Sequence, residues 1–189
     1  VAAFAVCGLF AYIHDTQKAL VGRFSEIIKH DADPIMTIGF TARRNLELTE
    51  TLRNKEKKGS LLWVLDKTKT AMGARRLRQM LEQPLVVGGD IVTRQQAVAY
   101  LKDEVITREE LREYLNPVYD LERLIGRIST RSAGPRDLIA LKSSLSMLPH
   151  IKYLIRECSV ELLHELHDEI DELEDVCTLI EKAIVDEPP

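Results

Sequence analysis

The feature that most restricts what this chain can fold into lies near its end. Leu163, Leu166, Ile170, Leu173, Cys177, Ile180 and Ile184 recur three and four residues apart, with acids at most of the positions between them. Side chains at that interval share one stripe of an α-helix, whereas a strand would scatter them over both faces. The spacing therefore predicts a single helix from Val160 to Ile184, about 37 Å long at about 1.5 Å per residue. Its stripe, with Leu173 at the middle, is expected to be buried.

The rest of the chain follows the same period. Residues 2 to about 18 read as an apolar helix that needs cover on most faces. Ser60 is placed to cap a helix running to Leu65. Thr70 opens another, with Met72, Leu77, Met80 and Leu81 on one face and Pro84 ending it. After a turn at Gly88-Gly89-Asp90, Ile91, Gln95, Val98 and Leu101 mark a further helix. A charged helix from about Thr107 to Leu115 is stopped by Asn116-Pro117. Leu121, Leu124, Ile125 and Ile128 form the next face. Pro135 at the first turn and Asp137 near the positive end open a helix whose buried side is Leu138, Leu141, Leu145 and Leu148. Short β-branched runs occur at Glu26–His30 and Ile35–Ile38, separated by Asp31-Ala32-Asp33-Pro34, and read as two brief strands or an extended linker. The expected fold class is mainly α: a multi-helix bundle with a long C-terminal helix, preceded by a helix and short strands.

Composition agrees with a helical protein. Of 189 residues 45% are apolar and 30% charged, with only nine Gly and seven Pro. The most apolar run, Val1 to Ile13, is too short to span a bilayer and lacks the basic segment of a signal peptide, so no membrane association is expected. It reads instead as the interior of a buried helix in a longer chain. Cys7, Cys158 and Cys177 are odd in number and widely separated, which suits reduced thiols in a cytoplasmic protein. The net charge of −4 hides an asymmetry. Thr41 to Met80 holds eleven Lys and Arg against four acids, and Glu157 to Pro189 holds twelve acids against Lys182 alone.

Reactive constellations are not evident. No GxxxxGK[ST] phosphate loop occurs. His164 and His167 share a helix face with Glu161, Glu165 and Asp168, but lack the second ligand-bearing segment that a zinc site needs. Acid pairs such as Glu109-Glu110 are adjacent and diverge on a helix, so they form no dyad. No residue is assigned to catalysis, a cofactor or a metal. The basic stretch offers Lys55, Lys57, Lys58, Arg75, Arg76 and Arg78 as contacts to a phosphate backbone, the alternative being a solvated loop and helix face.

Arg43-Arg44-Asn45-Leu46-Glu47, Ser60-Leu61-Leu62 leading to Leu65-Asp66, Thr68-Lys69-Thr70, Met72-Gly73 and Arg75 to Leu85 together resemble, in order and spacing, the start of the core (lever) domain of the MutS family of DNA mismatch repair proteins. The string from Asp120 to Leu124 is similar to it as well. Gly39-Phe40 departs from the pattern, where an acidic helix cap is expected. The resemblance implies two parts: residues 1–38 as the end of a connector domain with its linker, and 39–189 as the first part of the core domain, reaching the clamp insertion near Asp186. It further implies a non-enzymatic segment that couples an ATPase to a DNA clamp, the long helix being the mechanical part. ATP and Mg would be held by the missing ATPase domain. The other MutS domains (ATPase, clamp, connector), mismatched double-stranded DNA and a second copy in a homodimer would be the partners. The mismatch-inserting Phe-x-Glu wedge of such proteins is not in this sequence. Composition and periodicity alone also allow a free-standing helical interaction scaffold whose acidic helix pairs with a basic partner.

Overall fold

A computed structural model describes residues 2–16 and 35–185. The chain divides into two units, 1–33 and 34–189. In the first, the described part is helix α1, Ala2–Thr16, on which Phe4, Leu9 and Tyr12 stand exposed. The expected strand at Glu26–His30 lies outside the described residues.

Ten helices are described in the second unit: α2 (Phe40–Asn45), α3 (Leu61–Leu65), α4 (Ala71–Glu82), α5 (Gly88–Asp103), α6 (Val105–Leu115), α7 (Leu121–Ser129), α8 (Pro135–Leu145), α9 (Leu148–Ile155), α10 (Glu161–Glu169) and α11 (Glu174–Ala183). The mainly α expectation holds. The strand expected at Ile35–Ile38 is not formed. Ile35 makes a single antiparallel bridge to Leu85, and the Met36 N–H donates to the Pro84 carbonyl at 2.7 Å. Pairing cannot continue, because the chain after Leu85 turns into α5 within three residues.

Local chemistry explains most of the helix ends. Glu104 closes α5 and opens α6, and Arg108 donates to the Leu101 and Lys102 carbonyls at 3.1 and 2.9 Å, satisfying oxygens that a helix C-terminus leaves without partners. The Asp120 carboxylate caps α7 by accepting from the Arg123 N–H. The Asp137 carboxylate accepts from the Gly134 N–H at 2.8 Å and from Arg127 at 2.7 Å, binding the start of α8 to the end of α7. Leu148 does not continue α8 as expected. It opens α9, because Pro149 has no N–H for the Leu145 carbonyl and its ring would collide with that carbonyl.

Two apolar clusters form the core. In the first, Ala97 of α5, Ile155 of α9, Cys158 and Leu163 of α10 are buried, with Tyr100, Leu101, Leu111, Val160, Leu162 and Ile170 around them. In the second, Leu124 of α7, Leu141 and Leu145 of α8 and Ile180 of α11 are buried, with Leu121, Leu138, Val176, Cys177 and Ile184 around them. The predicted single helix from Val160 to Ile184 is therefore corrected to two. Its first half serves one cluster and its second half the other, and the chain bends between them at Ile170–Leu173. Leu173, expected at the centre of a buried stripe, is 37% exposed and sits in the left-handed region at φ 51°, preceding α11.

The crossing from α6 to α7 is fastened by Ser144, which has no exposed surface. Its Oγ donates to the Ala140 carbonyl at 2.8 Å and accepts from the Tyr119 N–H at 3.0 Å. Ser144→Ala strands that N–H without a partner, and is expected to lower the unfolding free energy in urea by about 1–3 kcal/mol. Ser146→Ala, whose exposed Oγ meets only the Ser143 carbonyl, should stay within about 0.5 kcal/mol of the parent. Equal midpoints for the two variants would contradict this account.

Candidate functional site

The basic stretch is built around a short backbone pairing. The Leu61 and Leu62 N–H groups donate to the Glu47 and Leu48 carbonyls at 3.0 and 2.9 Å, and Leu48 and Leu62 are buried beneath that contact. Between them the chain forms a tight ring: the Thr51 N–H donates to the Glu56 carbonyl at 2.9 Å, the Lys55 N–H returns to Thr51 at 3.1 Å, and Thr51 Oγ1 accepts from the Glu56 N–H. Gly59 follows at φ 95°, where a Cβ would be strained and would stand 3.2 Å from Thr51 Cγ2. Ser60, fully buried, then caps α3 as expected, its Oγ donating to the Lys57 carbonyl at 2.7 Å and accepting from the Trp63 N–H. Of the apolar run Leu61–Leu65, α3 buries only Leu62. Trp63 is 47% exposed.

Thr70 caps α4, accepting from the Gly73 N–H at 3.0 Å. A Cβ on Gly73 would lie 3.0 Å from Thr70 Oγ1 and 3.4 Å from Thr68 Cβ, so glycine lets cap and loop close together. At the other end of the stretch α2 starts at Gly39 without a side-chain cap, where the expected acid is replaced. Arg43 instead fastens α2 to the chain before it by donating to the Ile38 carbonyl at 3.0 Å.

The six candidate cations fall into two groups. On the loop, Lys55 and Lys58 are exposed and make no ion pair among the described residues, while Lys57 pairs with Asp66. On α4, Arg76 is exposed and meets Gln79 at 2.9 Å, Arg78 pairs with Glu82 at 3.0 Å, and Arg75 spans 45 residues to fork onto Asp120 at 2.8 and 2.7 Å, with Glu122 on its Nε side at 2.8 Å. Arg75 holds the Asp120 carboxyl below its ordinary range, and the two acids raise the guanidinium further. This latch joins α4 to the cap of α7. Sequence reasoning had Arg75 as a phosphate contact and Asp120 as part of the resemblance, and missed that they meet. Opposite charges inside two family-matching strings were the available signal.

On α10, Asp168 faces His167 Nδ1 at 2.9 Å and His164 Nδ1 at 3.3 Å, with its carboxyl lowered by both. Among the described residues no group of His, Cys, Asp and Glu is arranged to hold a metal ion. All three thiols are free, Cys7 exposed, Cys158 buried and Cys177 half-buried. Among the described residues no helix is long and apolar enough to cross a membrane.

Residues 41–189 match the family model described as MutS domain III. The chain belongs to this family. Relatives named DNA mismatch repair protein MutS include that of Lachnoclostridium phytofermentans, 56% identical over 185 residues that cover 98% of this chain and 20% of the relative. Those of Alkaliphilus oremlandii and Ruminiclostridium cellulolyticum are 49% identical over 184 residues and 48% over 181, covering 97% and 96% of this chain. The chain spans about a fifth of the length of these curated relatives. In this MutS domain III chain, the strings that carried the resemblance hold the Glu47–Leu61 backbone pairing, the two caps and both ends of the Arg75 latch.

Asp66 gives the module a pH signature. Lys57 and then Thr68 hold its carboxyl down from 3.8 to about 2. A carboxylate lowered on folding stabilises the folded state above its unfolded pKa, and that contribution disappears as pH falls through the folded value. Asp66→Asn is therefore expected to destabilise by less than about 1 kcal/mol at pH 7, since Lys57 is half exposed. The difference should shrink from pH 4 to pH 2. Denaturation of both proteins across that range checks it, and a gap that widens on acidification would reverse the assignment.

Proposed function

We propose that this chain is the core segment of a DNA mismatch repair protein, relaying conformational change between a nucleotide-binding part and a DNA-holding part that lie in the rest of the protein. The family match over residues 41–189 carries this reading. In it, residues 1–38 are the end of the connector domain with its linker and 39–189 the first part of the core domain. Nucleotide and Mg belong to the remainder, because the residues here do not fit them: the sequence has no GxxxxGK[ST] loop. The segment itself is not an enzyme, and the parent is a cytoplasmic homodimeric ATPase acting on mismatched duplex DNA.

Relay through helices needs connections that move as one body. The Arg75 fork supplies such a connection between α4 and α7, since a planar guanidinium held by two carboxylates fixes orientation as well as distance. In the full-length protein, Arg75→Ala is expected to leave ATP hydrolysis and first binding to a mismatched duplex within about twofold, and to slow ATP-triggered release at least about fivefold. Release at the parental rate, with the variant's fold intact, would remove the latch from the relay.

Backbone phosphate contact is proposed for Lys55, Lys57, Lys58, Arg75, Arg76 and Arg78, led by Lys55 and Lys58, which are exposed and form no ion pair among the described residues. The isolated chain should bind duplex DNA weakly, equally for a G·T mismatch and its perfect match, and lose most affinity between low and physiological salt as counterions are released. Lys55→Ala with Lys58→Ala should lower the salt slope by about 2. A preference for the mismatch, or an unchanged slope, would count against these contacts.

A further inference from the structure

The repeat of apolar residues runs unbroken through Ile170 and Leu173, yet the helix does not. Something other than the apolar pattern bends the chain there. No proline or glycine lies between Val160 and Val185. The bend instead places Leu173, a non-glycine residue, in the left-handed region, which is a strained choice for a branched aliphatic side chain.

A local bond and a set of like charges meet at this turn: Asp171 Oδ1 accepts from the Leu173 N–H at 3.0 Å. Asp168, Glu169, Asp171, Glu172, Glu174 and Asp175 all line the cleft at the bend, and among the described residues Lys152 of α9 is the only cation lining it. Its Nζ donates to the Ile170 carbonyl at 2.8 Å and stands 4.0 Å from Glu172. Asp168 also meets His164 and His167 on its own helix. In a straight helix these acids would stack three and four residues apart, as 168 with 171 and 172, 169 with 172, 171 with 174 and 175, and 172 with 175. Like charges at those intervals oppose the helix. In the bent form residues 170–173 leave the helix, so that helical register between the acids is broken, and Glu174 and Asp175 fall in the first turn of α11, where negative charge is favourable.

We propose that Ile170–Leu173 is a charge-set joint: acid repulsion holds it bent between the two apolar clusters, and neutralising or screening those acids lets α10 and α11 join into one helix along the continuous apolar stripe. Straightening would turn the cluster of α5, α9 and α10 against the cluster of α7, α8 and α11. This goes beyond the relay proposed above and does not rest on it.

The amides of Glu174, Asp175 and Val176 report the state. In the bent form the first intrahelical donor of α11 is the Cys177 N–H, bonded to the Leu173 carbonyl at 3.1 Å. A continuous helix would give Glu174, Asp175 and Val176 acceptors at Ile170, Asp171 and Glu172. Hydrogen exchange and Cα shifts of the 189-residue chain at pH 7 are measured at about 0.05 M and about 1 M NaCl, conditions that shorten the screening length severalfold. The expected result is about tenfold slower exchange of Glu174 and Asp175 at high salt, with helical Cα shifts at Ile170–Leu173. Asp171→Asn with Glu172→Gln should give the same change at low salt. Leu173→Gly, which favours the left-handed turn and disfavours the helix, should abolish the salt response while the buried amides of α8 stay protected. Exchange that ignores both salt and the neutral substitutions, or a Leu173→Gly chain that responds as the parent does, would overturn the joint. The salt series on the parent decides the matter even if a substituted chain fails to fold.

Discussion

One apolar stripe faces two cores, and the arrangement of α5 to α11 follows from that. Leu163 is buried against Ala97 and Ile155, while Ile180 is buried against Leu124, Leu141 and Leu145. A straight helix keeps its stripe on one side, so serving both clusters requires a bend. The neighbouring pair of helices meets the same demand: α8 belongs to the second cluster and α9 to the first, with a proline at the second position of α9 marking the change. Where the chain crosses between clusters it is held by buried or half-buried polar contacts, Ser144 to the Tyr119 N–H at one crossing and Lys152 to the Ile170 carbonyl at another. Such contacts fix geometry more than they add stability, because an intramolecular hydrogen bond largely replaces one to water.

The segment from α2 to α4 is organised differently. It buries few side chains and depends on caps, a backbone pairing and the close approach of Gly59 and Gly73. Its attachment to the helices beyond uses charge: Arg75 to Asp120 and Glu122, with Arg112 reaching the Lys67 carbonyl at 3.4 Å. Exposed leucines and Trp63 on α3 leave this part with less apolar burial than α5 to α11.

Much of this was legible in the sequence. The Ser60 and Thr70 caps, the stop at Asn116-Pro117 and the Pro135 and Asp137 start all depend on residues within one turn of each other, where local chemistry decides. The family was legible too, from the order of matches between Arg43 and Leu85. The bend at Ile170–Leu173 was not, because periodicity reports which residues share a face and says nothing of how many cores that face must meet. Leu148 packs with Leu141 and Leu145 as expected but belongs to the next helix, since the apolar spacing carried across a proline whose position should have stopped α8. The Arg75 latch was hidden because its halves lie 45 residues apart, and a sequence shows charge without showing distance. Lys55 and Lys58 form no ion pair among the described residues whereas Arg75 is held by two acids, a difference that the folded chain sets.

The ring closed by Thr51 and Glu56 has a practical side. Its two ends are bonded to each other before the chain reaches Gly59 and the Ser60 cap. Beyond that closure the tip is tied back at Leu52, whose N–H donates to Glu47 Oε1 at 2.6 Å, which leaves Arg53 and Asn54 as its outermost part. Lengthening a closed surface loop adds only about 0.6 kcal/mol of closure entropy for each doubling. The tip is thus a natural point for grafting a reporter or an affinity handle, with Lys55 beside it as the first group such a graft would shield from solvent.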